Sequence, residues 1–183
     1  MFFTALLISS VENYAIQGKD TRIFHVVRAI DGDTFRLSNG QILKLAGINT
    51  PELHNMPILT EEAKRFKKDI WAYRNVGGDA HKAVMRFLGM ARNEIEVESG
   101  MNAFDENGNL LGYVYLSVDK LDAGETPDST VFFQNGDHYE IFLNAYLVKM
   151  GFAEAVGSGD SNYDAPLLKL QTEAKESKRG LWV

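Results

Sequence analysis

The sequence predicts a mostly β fold with packed helices (α+β): a five-stranded Greek-key barrel of OB type, about three helices against it, and an inserted hairpin. Three observations predict this. Three short, β-rich apolar runs follow one another between residues 23 and 46, separated by turn residues. Helical apolar spacing comes next, then two more strand-like runs, then helical spacing to the end. And 183 residues at 45% hydrophobic, with four prolines, suffice for one core but not comfortably for two.

Each element has its own signal. Ile23–Ile30 is apolar and β-branched, a first strand. Asp31-Gly32-Asp33 turns the chain, and Thr34–Leu37 returns as the second strand. Ser38-Asn39-Gly40 is a hairpin signal, and Gln41–Ala46 alternates as the third strand. Pro51 ends the strand pattern. Thr60-Glu61-Glu62 marks a helix start with acids in its first turn, and Ala63, Phe66, Ile70 and Tyr73 follow helical spacing. Gly77-Gly78 is expected to interrupt that helix, Asp79 to cap again, and Ala80–Met90 to resume it. Glu94–Val97 and Leu110–Val118 are the fourth and fifth strands, joined by the Asp105–Asn109 turn. Residues 119–140 read as an insertion, acidic at first, then a hairpin about Asn135-Gly136. Leu143–Met150 is a short helix closed by Gly151, and Ala165–Ser177 is the last helix.

Composition narrows the function classes. The absence of cysteine excludes disulfides, thiolate metal sites and a cysteine nucleophile. A formal net charge of −6 argues against tight binding of long polyanions, although a protein that cleaves and releases short pieces needs only local positive charge. Residues 1–20 stand apart from the domain at 21–183. Their apolar run Phe2–Ile8 is far too short to span a bilayer. It reads either as the remnant of an export signal or as an added arm, leaving a secreted or a cytoplasmic address equally open.

The chemistry concentrates in Ala29–Glu52. Asp31 and Asp33 lie two apart at the end of a strand, Asn49 comes sixteen residues after Asp33, and Glu52 three later. Hydrolysis of a phosphodiester requires a positioned water, a group to take its proton, and positive charge on the phosphoryl oxygens. In a small barrel the ends of the first and third strands can be neighbours. Asp33, the side-chain oxygen of Asn49 and the Thr50 carbonyl would then form an oxygen-only half-shell suited to Ca²⁺, with Asp31 behind it. Glu52 would reach the water of that shell as general base.

These residues carry a resemblance. Ile30-Asp31-Gly32-Asp33-Thr34 followed by Gly47-Ile48-Asn49-Thr50-Pro51-Glu52 resembles the active-site half of the staphylococcal nuclease family. Gly108-x-Leu110-Leu111-Gly112-Tyr113-Val114-Tyr115, the Asn144–Val148 helix and the closing Arg179-Gly180-Leu181-Trp182 extend it over roughly residues 23–182. The resemblance implies Ca²⁺-dependent hydrolysis of single-stranded or flexible DNA or RNA by a monomer, with Asp33 on the metal and Glu52 as base. It also implies four departures. The family's second metal aspartate falls at Asn49, its first phosphate-binding arginine at Lys44, its second at Asn109, and its two nucleotide-lining tyrosines near Gly157 and Gly159. Asn49 keeps an oxygen but drops a charge, Lys44 loses the bidentate fork, and Asn109 loses the charge. Lys82, Arg86 or Arg92 are the cations available from outside the motif.

Each residue also has a plain structural reading. Asp-Gly-Asp is a common turn, Gly108-Asn109 makes a tight one, Glu52 is a loop acid and Lys44 a solvated strand residue. His25, His81 and His138 show no ligand pattern. His54, two residues after Glu52, either sits in a loop or supplies a nitrogen to a different metal. Phe132, Phe133, Phe142 and Tyr146 read as core. The rival to an enzyme is therefore a catalytically inactive barrel that binds nucleic acid or a protein partner.

Overall fold

The computed structural model describes residues 21–119 and 130–183. The arm at 1–20 and the acidic part of the insertion, 120–129, lie outside the described residues.

Alternation builds the barrel. β1 (Thr21–Ala29), β2 (Thr34–Leu37) and β3 (Ile42–Leu45) form an antiparallel meander, with Val26, Phe35, Leu37, Leu43 and Leu45 buried. β4 (Ile48–Asn49) is a two-residue strand, and β5 (Glu94–Phe104) pairs antiparallel with β1. β6 (Leu110–Val118) pairs antiparallel with β5 and, at its start, parallel with β3. That parallel seam closes β1, β2, β3, β6 and β5 into a five-stranded barrel. Gly112 is required at the seam: a Cβ there would stand 2.3 Å from Val97 Cγ1. Beyond it, β7 (Phe132–Asn135) and β8 (His138–Phe142) form the expected hairpin, which extends the sheet from the far end of β6. β9 (Glu154–Ala155) pairs with β4.

Among the described residues four helices cover the barrel: α1 (Met56–Arg65), α2 (Ile70–Met90), α3 (Leu143–Lys149) and α4 (Ser161–Glu176). Their boundaries differ from the sequence expectation in three places: α1 begins at Met56, capped by Asn55, and not at Thr60; α4 begins at Ser161 and not at Ala165; and the break between α1 and α2 is displaced. The break falls at 66–69, where Lys67 takes φ 53 and Lys68 N–H donates to Ala63 O, and α2 restarts with Asp69 capping the Trp71 and Ala72 amides. Gly77-Gly78 does not interrupt α2. Gly77 is there because the helix presses on the Pro51 loop, where a Cβ would lie 2.6 Å from Pro51 O. A tertiary contact, not turn chemistry, selects that glycine.

The main core runs through the barrel and under α2, α3 and α4. Phe87, Phe132 and Tyr146 meet edge-on within it, so these aromatics are packing groups. A smaller cluster lies in the α1–α2 corner: Leu59, Ala63 and Tyr73, closed by Leu181 from a 3-10 turn at Gly180–Trp182. Among the described residues no helix is long and apolar enough to cross a membrane.

Candidate functional site

Barrel closure brings the β1–β2 turn beside the segment that leaves β3. Asp31, Asp33 and Thr50 are all buried there. Gly32 between the acids allows the approach, since a Cβ would lie 2.7 Å from Ala80 Cβ on α2 and 2.9 Å from Thr50 Cγ2. Leu45 N–H donates to Asp33 O, which fixes the turn to β3.

Asp33 is the centre of this group. One carboxylate oxygen accepts the Thr34 hydroxyl at 2.8 Å, and the other accepts the Thr50 amide at 2.8 Å. Asp31 Oδ1 accepts the Asp33 amide. Burial, and then the neighbouring Asp31 charge, push the Asp33 carboxyl up to about 7, against the opposing pull of Lys44 and of the two hydrogen bonds. Two acids therefore share a buried place with Lys44 as the nearby cation. Thr50 enters the site through its amide, and its hydroxyl is buried without a hydrogen-bond partner.

Asn49 and Glu52 meet a residue that the sequence did not single out. Asn49 Nδ2 donates to Glu62 Oε1 at 3.0 Å, and Glu52 N–H donates to Glu62 Oε2 at 3.2 Å. Glu62 on α1 thus ties β4 to the loop behind it. Tyr73 lies close enough that burial, with Glu62 adding to it, raises its phenol above the ordinary value. One turn further along α1, Arg65 forks onto Glu154, the register partner of Asn49. Glu52 itself folds onto its own turn: Oε1 accepts the amides of Leu53, His54 and Asn55 at 2.9, 2.8 and 3.2 Å. Oε2 makes no hydrogen bond with any described residue.

The remaining positions divide. Lys44 sits on β3 opposite Thr34 and acts on Asp33 and on Asp105. Asn109 is drawn away from any ligand: its amide and its Nδ2 both donate to Asp105 at 2.8 Å. Burial works to raise Asp105, but these bonds and Lys44 outweigh it and hold its carboxyl below the usual range. A cleft of about 380 Å³ opens beside Lys44 and Asn49, lined also by Met101, Asn102, Asp105 and Ser158. The Gly157–Gly159 loop borders it, pinned where Ser158 bonds Tyr113 and Asp164. His25 is exposed, and His138 pairs with Asp119 at 3.3 Å. His81 and His54 bond the Ala29 and Ile30 carbonyls just before the acid turn. Lys82 pairs with Asp79, and Arg86 reaches the Tyr146 hydroxyl.

The donor set suits a hard cation. Asp31 and Asp33 supply buried, undercompensated carboxylates, and Asn49 and Thr50 supply neutral oxygens. Among the described residues no three acidic or histidine side chains gather into a metal site, so a cation here would rest on two acids.

A closed five-stranded barrel of this order, with an acid turn at its rim, is an OB-type domain. The family profile described as staphylococcal nuclease homologue matches residues 42–183, and the chain belongs to that family. Asp31 and Asp33 precede the matched span, and the β2–β3 pairing, with the Leu45 and Thr50 amides on Asp33, carries them to it. A comparison with curated proteins finds no match.

Proposed function

We propose that the chain hydrolyses phosphodiester bonds of single-stranded or flexible DNA or RNA with Ca²⁺, at a rate lowered by its own site. The observation that carries this is the buried Asp31–Asp33 pair, in which Asp33 is held by the Thr34 hydroxyl and by the Thr50 amide, two residues before Glu52, beside Lys44. Asp33, with Asn49 and Thr50, would hold the cation, which supplies positive charge to the phosphoryl oxygens. Lys44 faces the same rim and binds a phosphate as a point charge. Glu52 Oε2 takes the proton of the attacking water, while Oε1 keeps the side chain fixed to its turn. Asn109 contributes no charge, and the missing clamp lowers the rate by roughly 10³-fold by analogy with arginine fingers.

The test is incubation with single-stranded DNA, with Ca²⁺ or chelator, beside Glu52→Gln. Glutamine keeps the Oε1 acceptor of the turn and removes only the base. Cleavage that needs Ca²⁺ and is lost in Glu52→Gln is the expected result; cleavage that survives both changes sinks the reading.

A second reading has an observation of its own. Asn49 is turned to Glu62, Glu52 caps three amides and Asn109 is spent on Asp105, so three of the site positions are satisfied within the protein. A binding module of this fold retains oligonucleotide affinity and cleaves nothing, whichever divalent cation is supplied.

A further inference from the structure

Among the described residues Lys44 is the cation that acts on Asp33 at the rim. The other side of the Glu52 turn is different. A cleft of about 470 Å³ opens there against α2, lined by Leu53, His54, Arg74, Gly78, Asp79 and Lys82. Arg74, Gly78 and Lys82 recur every four residues, so they lie on one face of the helix, with about 12 Å of rise between the two cations. Gly78 leaves the floor between them bare: a Cβ there would meet nothing within 4 Å.

Both cations are available to a ligand. Arg74 Nε donates to Leu53 O at 3.3 Å, which holds the guanidinium at the cleft, and no acidic side chain among the described residues pairs with it. Lys82 bonds Asp79 at 3.0 Å, but both are well exposed, and such a pair exchanges readily for a better anion. The cleft also abuts the reacting groups. Glu52 Oε1 accepts the His54 amide, and the His54 ring bonds Ile30 O, next to Asp31. In a chain of net charge −6, a cationic face at this point is not a bulk property.

We propose that this cleft is a phosphate subsite for a nucleic-acid backbone, in which Arg74 and Lys82 bind phosphodiester groups of the strand that runs past Glu52. This rests on the nuclease reading above. The planar fork of arginine matches a phosphate, and a bare glycine lets the backbone come close. A neutral peptide would need an open sheet edge or an apolar groove, and a polar helix face provides neither.

Binding separates the subsite from the activity. A short fluorescent oligothymidylate is titrated by anisotropy in chelator, across a range of salt. Lys82→Glu and Gly78→Glu each weaken binding by about tenfold and reduce the slope of log affinity against log salt by roughly one. Lys169→Glu, the same charge change as Lys82→Glu on α4 outside the cleft, leaves both unaltered. With Ca²⁺ and cleavable DNA the two cleft variants raise KM and hold kcat. Wild-type affinity and slope in both cleft variants overturn the subsite, whether or not the protein cleaves DNA. Binding losses as expected in a protein that never cleaves uphold the subsite and reject the activity. A methylphosphonate oligothymidylate bound as well as the phosphate form, together with poly-glutamate bound in the same variant-sensitive way, assigns the cleft to acidic protein and overturns the phosphate reading.

Discussion

Asn49 donates its amide to Glu62, and changing either partner alone breaks that bond in a different way. Asn49→Asp sets a carboxylate against a carboxylate and should destabilise the fold by about 1 kcal/mol; adding Glu62→Gln should recover most of it, a coupling that denaturant midpoints of the double-mutant cycle measure. Restoring an aspartate at Asn49 should therefore strengthen cation binding only in the Glu62→Gln background. Additive effects of the two changes would sink this pairing. Asp33 makes a second prediction. Its carboxyl is raised to about 7 in the fold against 3.8 for an ordinary aspartate, so between those values the folded state binds more protons than the unfolded one. Stability through this group is full at low pH and is lost as pH rises from about 4 to about 7. Asp33→Asn should flatten that part of the urea-midpoint profile against pH, and millimolar Ca²⁺ should raise wild-type stability most at pH 8. The meeting of Asp33 with Thr50 could be read from the sequence because spacing along two strand ends implies proximity. Glu62 could not: in Thr60-Glu61-Glu62 it looks like one more first-turn acid, and its role depends on where the helix docks. For Asn109, the tight-turn reading agrees with its two bonds to Asp105.

At the scale of elements, α2 offers adjacent glycines with opposite demands. Gly77 faces the Pro51 backbone at a distance no Cβ tolerates, whereas Gly78 faces open space. Gly77→Ala should cost roughly 1–3 kcal/mol and disturb the Glu52 loop, while Gly78→Ala should gain about 0.5–1 kcal/mol by helix propensity alone. Thermal unfolding of the two variants checks the contrast, and equal effects would show that α2 does not bear on Pro51. The same pair explains where sequence reading failed. Two glycines in a row signal a break, and the true break lies ten residues earlier, at a lysine in the left-handed region. Nothing about a lysine advertises that conformation. The strands were legible because period-2 alternation and Asn-Gly turns are local signals, and they matched for β2, β3, β6 and the β7–β8 hairpin.

For the molecule as a whole, one buried side chain joins the barrel seam to the helices. Asn144, on α3 and fully buried, accepts the Val114 amide at 3.0 Å and donates to Ala46 O at 2.8 Å. It spans β6 and the end of β3, the two strands whose parallel pairing closes the barrel. Asn144→Ala should cost about 3 kcal/mol, because it strands two buried backbone groups at once, and should loosen the rim that presents Lys44. Hydrogen exchange at Ala46 and Val114 is the measurement; unchanged protection there would mean the seam holds without it.

The small α1–α2 cluster has a consequence in time. Leu59, Ala63 and Tyr73 are sealed by Leu181, whose amide bonds Gly151 O, and Gly151 and Gly180 meet so closely that a Cβ on either would lie 2.3 Å from a backbone oxygen of the other strand of chain. During synthesis the barrel strands emerge first and can pair. The corner beside Glu62 is sealed only once residue 181 has left the ribosome, so it completes after the barrel strands it packs beside.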